Sequence, residues 1–204
     1  MFIRAAIILT AAVMSSRPAS AAAPESPHDS HDVNGVALFD GETLDGWQAT
    51  GEAKWEIVDG TICTAGTKPG FLMTTGEFSD FELHVEFRAP AATNSGVFLR
   101  TPLEPTNPAK DCYELNIAPP ENPFPTGCLV ARRKTTLPAT EFPTPDEWHS
   151  LDVTAKGGKF TARLDGRAIL KYDDPAPIRR GHIGLQSNQG EVAFRNICIR
   201  KLPR

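Results

Sequence analysis

The sequence predicts an all-β protein, a sandwich of antiparallel strands. The plainest evidence is the segment 81–88, in which every odd-numbered residue is apolar and every even-numbered residue is polar, as in a strand with one buried face. The 204 residues also include 16 Gly and 18 Pro, spread along the chain in a density that suits many turns. Short alternating segments are separated by turn residues every 8–12 positions or so, which is typical of sandwiches.

Two hairpins are predicted from the Asp-Gly turns. Segments 55–58 and 61–63 flank Asp59-Gly60, and segments 160–164 and 168–170 flank Asp165-Gly166. A glycine tolerates the positive φ that a two-residue hairpin turn requires, so each pair of segments is expected to form an antiparallel ribbon.

The middle of the chain predicts three further strands that carry polar side chains. Segment 81–88 is followed by a turn at 90–94 and by segment 95–100, which we expect to return as a hairpin. Segment 113–117 alternates in the same way. The remaining strands are expected at 127–131, 148–154, 182–186 and 192–202.

The N-terminus has the features of an export signal. Residues 1–23 contain one early positive charge, a short apolar run and the small residues Ala19-Ser20-Ala21, which predict a cleaved signal peptide. Residues 24–35 are polar and predict a flexible leader, and residues 36–204 form the folded domain. The protein is therefore expected to be exported, to the periplasm or outside the cell, without a membrane anchor after cleavage.

Charge and cysteine content narrow the classes of function. The net charge is −4, so there is no basic excess to neutralise nucleic-acid phosphates or anionic lipids. The four cysteines lack CxxC spacing, which disfavours a zinc site, and we predict neither a metal nor a cofactor. A disulfide between Cys112 and Cys128 and a set of four buried thiols are both compatible with the sequence.

The alternation also predicts which polar side chains share a surface. If segments 81–88, 95–100 and 113–117 are neighbours in one sheet, their polar residues line one face. That face would carry His84, Glu86, Arg88, Arg100, Glu114 and Asn116. Carboxylates and guanidinium groups side by side can bind polyols and shift one another's pKa values. The alternative is an ordinary solvated face of salt-bridged strand residues. Arg132, Arg133 and Lys134 form a basic run at a strand end, which could orient an oxyanion or could simply block strand addition.

Several motifs, in order along residues 36–202, resemble the 3-keto-disaccharide hydrolase domain family. They are Leu38-Phe39-Asp40-Gly41 with Leu44-Asp45-Gly46-Trp47, Trp55–Gly60, Phe81–Arg88 with Asn94–Arg100, Tyr113–Asn116 with Thr126-Gly127, Gly181–Gln186, and Phe194–Ile197. The resemblance implies a concanavalin A-like jelly-roll of two antiparallel sheets, with a carbohydrate site on the concave sheet. It also implies hydrolysis of 3-keto-glycosides.

A ketone at C3 of a sugar acidifies the C2 proton, so that a carboxylate base can remove it and the C1 substituent can leave before water adds. The hypothesis assigns Glu114 as the base, with Glu86 as the lesser option, and Arg100 as the group that stabilises the enolate. Asn116, Gln186 and Arg132 would position hydroxyl groups, and His84, Arg88 and Lys134 complete the predicted substrate-binding set. Direct hydrolysis by two carboxylates is the alternative mechanism.

Two other functions stay open: a non-catalytic carbohydrate-binding module, and a structural domain with a blocked groove. A binding module is expected to present an exposed aromatic platform. Two Tyr and three Trp offer little material for one, which favours an enzyme.

Overall fold

The computed structural model describes residues 35–64, 68–107 and 109–203. Within these residues the chain forms thirteen β-strands and a single 3₁₀ turn at Ala139–Glu141. The strands are β1 (Val36–Ala37), β2 (Trp47–Gly51), β3 (Trp55–Val58), β4 (Thr61–Thr64), β5 (Gly70–Thr74), β6 (Phe81–Arg88), β7 (Ser95–Thr101), β8 (Tyr113–Ile117), β9 (Trp148–Lys156), β10 (Lys159–Leu164), β11 (Arg167–Asp173), β12 (His182–Ser187) and β13 (Val192–Lys201).

The strands form two antiparallel sheets. One has eight strands in the order β11-β10-β9-β6-β13-β4-β3, with β1 also paired to β13. The other has five strands in the order β2-β5-β12-β7-β8. The predicted all-β fold of two antiparallel sheets is confirmed.

The hydrophobic core lies between the two sheets. The eight-stranded sheet contributes Phe81, Leu83, Val85 and Phe87 from β6, whose even-numbered neighbours are partly or fully exposed, as the alternation predicts. The five-stranded sheet contributes apolar residues from all five of its strands, with Trp47 as the contribution of β2. They include Leu72, Val97, Leu99, Tyr113, Leu115, Ile183 and Leu185. Each strand therefore turns its other face away from the core.

Both predicted Asp-Gly hairpins are present. β3 pairs with β4 and β10 with β11, and the turn residues have positive φ angles: 49° and 72° at Asp59 and Gly60, and 48° and 76° at Asp165 and Gly166. These angles are those of the tight turn that matches the twist of the two strands.

The predicted hairpin between segments 81–88 and 95–100 is wrong. β6 pairs with β9 and β13 in the eight-stranded sheet, whereas β7 pairs with β8 and β12 in the five-stranded sheet. The connection at 89–94 crosses from one sheet to the other. Segment 127–131 is also not a strand, since only Leu129 makes isolated bridges there.

Cys63, Cys112 and Cys128 are free thiols, which excludes the Cys112–Cys128 bridge from this structure. Cys112 and Cys128 are fully buried and pack as small apolar residues. The predicted signal peptide at 1–23 and nearly all of the leader at 24–35 lie outside the described residues. No helix in the described part of the chain is long and apolar enough to cross a membrane.

Candidate functional site on the five-stranded sheet

The face of the five-stranded sheet that points away from the core carries the candidate site, and we call it the site face. Strand register arranges its side chains in two rows that run across the strands. The first row is Thr50, Phe71, Gln186, Gly96 and Asn116. Gln186 belongs beside Gly96 in this row because the preceding residue, Leu185, pairs with Val97. The second row is Gln48, Met73, Gly184, Phe98 and Glu114.

The side chain of Glu114, on β8, extends over the neighbouring strand β7 because β7 has a glycine, Gly96, at that point. A Cβ atom added to Gly96 would lie 3.2 Å from Cγ and 3.3 Å from Oε1 of Glu114. The glycine therefore leaves the space that the Glu114 side chain occupies. Its carboxyl group lies in the first row, between the amide side chains of Gln186 and Asn116.

Burial makes Glu114 a group that titrates near neutral pH. Only 6% of the residue is exposed, and loss of hydration raises the pKa of the carboxyl to about 7. A hydrogen bond from the side chain of Gln186 lowers the pKa but does not offset the burial. A carboxyl with this pKa can both accept and return a proton at neutral pH.

The two amides beside Glu114 each present an unsatisfied oxygen. Asn116 donates from Nδ2 to the carbonyl of Phe124, while its Oδ1 is buried with no hydrogen-bond partner among the described residues. Gln186 hydrogen-bonds to Glu114 and leaves its Oε1 equally unpartnered. A buried polar atom without a partner costs about 1–3 kcal/mol, so both oxygens favour a ligand that brings hydrogen-bond donors.

An aromatic pair lines the middle of the site face. The rings of Phe71 and Phe98 meet edge to face, with centroids 5.0 Å apart. Phe98 is 1% exposed, whereas Phe71 is partly exposed. Met73 fills the space over Gly184, where an added Cβ would lie 2.4 Å from its Sδ.

Arg100 does not reach the site face, so the expectation that it does is wrong. Its φ is +50°, in an irregularity of the β7–β12 pairing, and this turns its fully buried side chain toward the core rings of Phe81 and Phe160. The guanidinium donates to three backbone carbonyls and to Asp80 Oδ1, 3.0 Å away. These contacts commit Arg100 to structure.

Arg132 is also held by structural contacts. Its guanidinium donates to the carbonyl of Cys112 and to Asp174 Oδ2, and it stacks on the ring of Tyr113 at 4.4 Å. Lys134 differs, because it is exposed, with its Nζ 4.2 Å from the ring centroid of Phe124. The carbonyl of the same Phe124 accepts a hydrogen bond from Asn116, so Phe124 connects Lys134 to the site face.

Glu86, His84 and Arg88 belong to β6 and therefore to the outer face of the other sheet, so their predicted neighbourhood with Glu114 is wrong. Glu86 accepts from Arg195 Nε at 2.6 Å and from Asn196 Nδ2 at 2.8 Å. Contacts with His84, Asn196 and Arg195 lower the pKa of Glu86 to about 2 despite its partial burial.

The other two β6 residues are paired as well. His84 Nδ1 lies 2.7 Å from Asp152 Oδ1, and this carboxylate, with Glu86, raises the pKa of His84 to about 9. Arg88 stacks over the ring of Trp148, with its Cζ 5.0 Å from the ring centroid. The polar face of β6 is therefore the ordinary face of salt-bridged strand residues that the sequence left open as the alternative to a site.

Sequence reasoning missed Phe71 and Met73 because it missed β5 altogether. The segment Gly70–Thr74 has apolar residues on both faces, so it shows no alternation. A glycine inside a strand often marks a place where another group approaches the backbone closely. Gly96, within segment 95–100, was therefore the one feature of the sequence that indicated the close approach of the Glu114 side chain.

The described residues include no group of three or more His, Cys, Asp or Glu side chains placed to hold a metal ion.

Comparison with known proteins is consistent with this architecture. A region of 100 residues is 33% identical to a 3-keto-disaccharide hydrolase of Bacteroides thetaiotaomicron; it covers 43% of this chain and 34% of that protein, so the match spans about a third of the relative's length. A solved structure from Parabacteroides distasonis, described as a candidate glycosyl hydrolase, superposes with a TM-score of 0.72 at 21% identity, covering 83% of this chain and 95% of the other. The carbohydrate-binding module CBM66 of Bacillus subtilis gives a TM-score of 0.55 at 16% identity, covering 76% and 96%.

These two structures are similar in fold. The family assignment comes from a family model, described as the 3-keto-alpha-glucoside-1,2-lyase-like domain, that matches residues 34–200 and so nearly all of the part expected to fold. The chain belongs to the 3-keto-alpha-glucoside-1,2-lyase-like domain family.

Proposed function

We propose that this protein is an exported enzyme that cleaves 3-keto-glycosides, with Glu114 as the proton-transfer group. Family membership supports a carbohydrate-acting hydrolase, and one observation supports this particular chemistry. The buried Glu114 carboxyl, with a pKa near 7, lies over Gly96, and the two residues beside Gly96 in the first row are amides whose oxygens lack hydrogen-bond donors. Hydroxyl groups of a sugar are donors of the required kind.

The reaction proceeds by elimination and hydration. Glu114 removes the proton from C2, and the electron pair of the broken C–H bond forms an enolate with the C3 carbonyl. The enolate collapses to restore the ketone and form a C1=C2 double bond, while the C1–O bond breaks. Glu114 returns its proton to the leaving oxygen. Water then adds across the double bond, with hydroxide at C1 and a proton at C2.

One carboxyl suffices for this sequence of steps, which matters because Glu86 lies in the other sheet. Direct hydrolysis by a pair of carboxylates on opposite sides of the bond would need a second acid near Glu114. The enolate requires a nearby donor, and Arg100 is committed elsewhere. We assign that role to Lys134, whose ammonium forms no ion pair among the described residues and lies beside Phe124.

The test is turnover of a 3-keto-glucoside by the Glu114→Gln variant. Loss of the proton-transfer group is expected to lower kcat about 10²–10⁴-fold. Glu86→Gln is the matched control, because it removes the other carboxyl that the sequence suggested, and it is expected to retain wild-type kcat. Full activity of Glu114→Gln would remove Glu114 from the mechanism.

A non-catalytic carbohydrate-binding module is the competing function, since the unpartnered amides and Phe71 would serve binding equally well. The raised pKa of Glu114 favours the enzyme, because binding alone gives no use for a carboxyl poised near neutral pH. A binding module would bind unoxidised disaccharides and release no sugar from oxidised ones.

Export is proposed from the N-terminal segment alone. N-terminal sequencing of the protein recovered from a periplasmic or secreted fraction is expected to begin near residue 24. A chain that starts at Met1 in the cytoplasm would contradict it.

A further inference from the structure

The first row of the site face continues beyond the Glu114 carboxyl. Gln186 lies on one side of that carboxyl, and its cross-strand partner on β5 is Phe71. Neighbouring strands lie about 4.8 Å apart, so the backbone of Phe71 lies about two strand spacings, roughly 10 Å, from that of Gly96, over which Glu114 lies. The row thus extends from Asn116 through the carboxyl and Gln186 to Phe71.

Phe71 and Gln186 together present the two kinds of surface that a sugar ring can match. The partly exposed ring of Phe71 is apolar and is held edge to face against the buried Phe98. Next to it, the buried Gln186 Oε1 lacks a hydrogen-bond donor. A sugar ring has an apolar C–H face and a rim of hydroxyl donors, so one ring can contact the phenyl group and donate to Gln186.

We infer that Phe71 and Gln186 form the subsite for the leaving sugar of a disaccharide, next to the subsite of the oxidised ring at Glu114 and Asn116. This inference rests on the proposed function and adds to it the residues that bind the leaving group. Phe71 acts as a specificity-determining residue, because it touches only a substrate long enough to cross Gln186. A glycoside of a small alcohol ends before it reaches Phe71.

The experiment compares two substrates: the 3-keto derivative of a glucose disaccharide and methyl 3-keto-α-glucoside. In the Phe71→Ala variant, KM for the disaccharide is expected to rise about tenfold, which corresponds to about 1.4 kcal/mol of lost contact. KM for the methyl glycoside is expected to stay at the wild-type value. Phe71→Tyr keeps the ring and is expected to behave as wild type with both substrates.

Tyr172→Leu is the matched control for general loss of an aromatic group, since Tyr172 packs against the core from β11. It is expected to leave both KM values unchanged. If Phe71→Ala does not fold, as judged by thermal unfolding, Phe71→Leu takes its place with the same expectations.

The outcomes separate the subsite from the reaction. If the wild-type protein cleaves neither substrate, the proposed function fails, and the subsite fails with it. If the wild-type protein cleaves both substrates but the loss of the ring affects both alike or affects neither, the subsite is overturned and the reaction stands.

Discussion

Replacing Glu114 by Gln should change how stability depends on pH, whatever the protein acts on. Burial raises the pKa of this carboxyl from 4.5 to about 7 in the folded protein. Its ionisation therefore opposes folding: the contribution of the neutral carboxyl is fully present below pH 4.5 and is lost as pH rises through 7. One pKa unit corresponds to about 1.4 kcal/mol, so the shift amounts to about 3 kcal/mol of unfolding free energy.

The assay is urea unfolding of wild type and Glu114→Gln at pH 4, 6 and 8. The glutamine stays neutral, and all other titrating groups cancel in the difference between the two proteins. The wild-type free energy of unfolding, relative to that of the variant, should fall by about 3 kcal/mol between pH 4 and pH 8.

Glu86→Gln provides a control of opposite sign. The pKa of Glu86 is lowered to about 2, so its stabilising contribution is present above pH 4.5 and is lost as pH falls through 2. A difference between wild type and Glu114→Gln that stays constant from pH 4 to pH 8 would show that the Glu114 carboxyl is not desolvated, and would refute the reasoning about the site face.

Three further results are expected. Gly96→Ala should lower kcat while the protein still folds, because the new methyl group displaces the Glu114 side chain; the loss should be smaller than the ~100-fold that a misplacement of ~1 Å costs, and unchanged kinetics would contradict this. Arg100→Met should lower the free energy of unfolding, measured with urea, by about 3 kcal/mol, because three backbone carbonyls and Asp80 lose their hydrogen-bond donor. A loss near zero would mean that water replaces the guanidinium as the donor. Lys134→Met should lower kcat, measured by turnover, while circular dichroism shows an unchanged fold. A kcat equal to that of the wild type would show that the ammonium does not stabilise the enolate.

Local patterns of this sequence predict local structure well. The alternation in 81–88 reflects one buried face of a single strand. The turns at Asp59-Gly60 and Asp165-Gly166 reflect residues that accept positive φ angles. In each case the residues of one short segment are enough to predict its local structure. The same reasoning placed Glu114 away from the core and on the same face as Asn116, because both are out of phase with Leu115.

Strand partners and irregularities could not be predicted in the same way. Whether β6 pairs with β7 or with β9 depends on residues 60 to 74 positions away, from the pair Arg88–Trp148 to the pair Phe81–Ala155. The alternation within each strand is the same in either arrangement. Arg100 follows the polar phase of its strand in sequence, yet a positive φ turns its side chain toward the core. The sequence does not predict a role for Phe71, because its strand β5 has apolar residues on both faces and therefore lacks a period of two.

The most direct test of the central claim is the fate of the C2 proton when a 3-keto-glucoside is cleaved in D₂O. If Glu114 removes that proton and water later adds across the C1=C2 bond, the released oxidised sugar carries deuterium at C2, and mass spectrometry shows one added mass unit in rapidly quenched product. Cleavage by the wild-type protein that leaves hydrogen at C2 would contradict proton abstraction by Glu114.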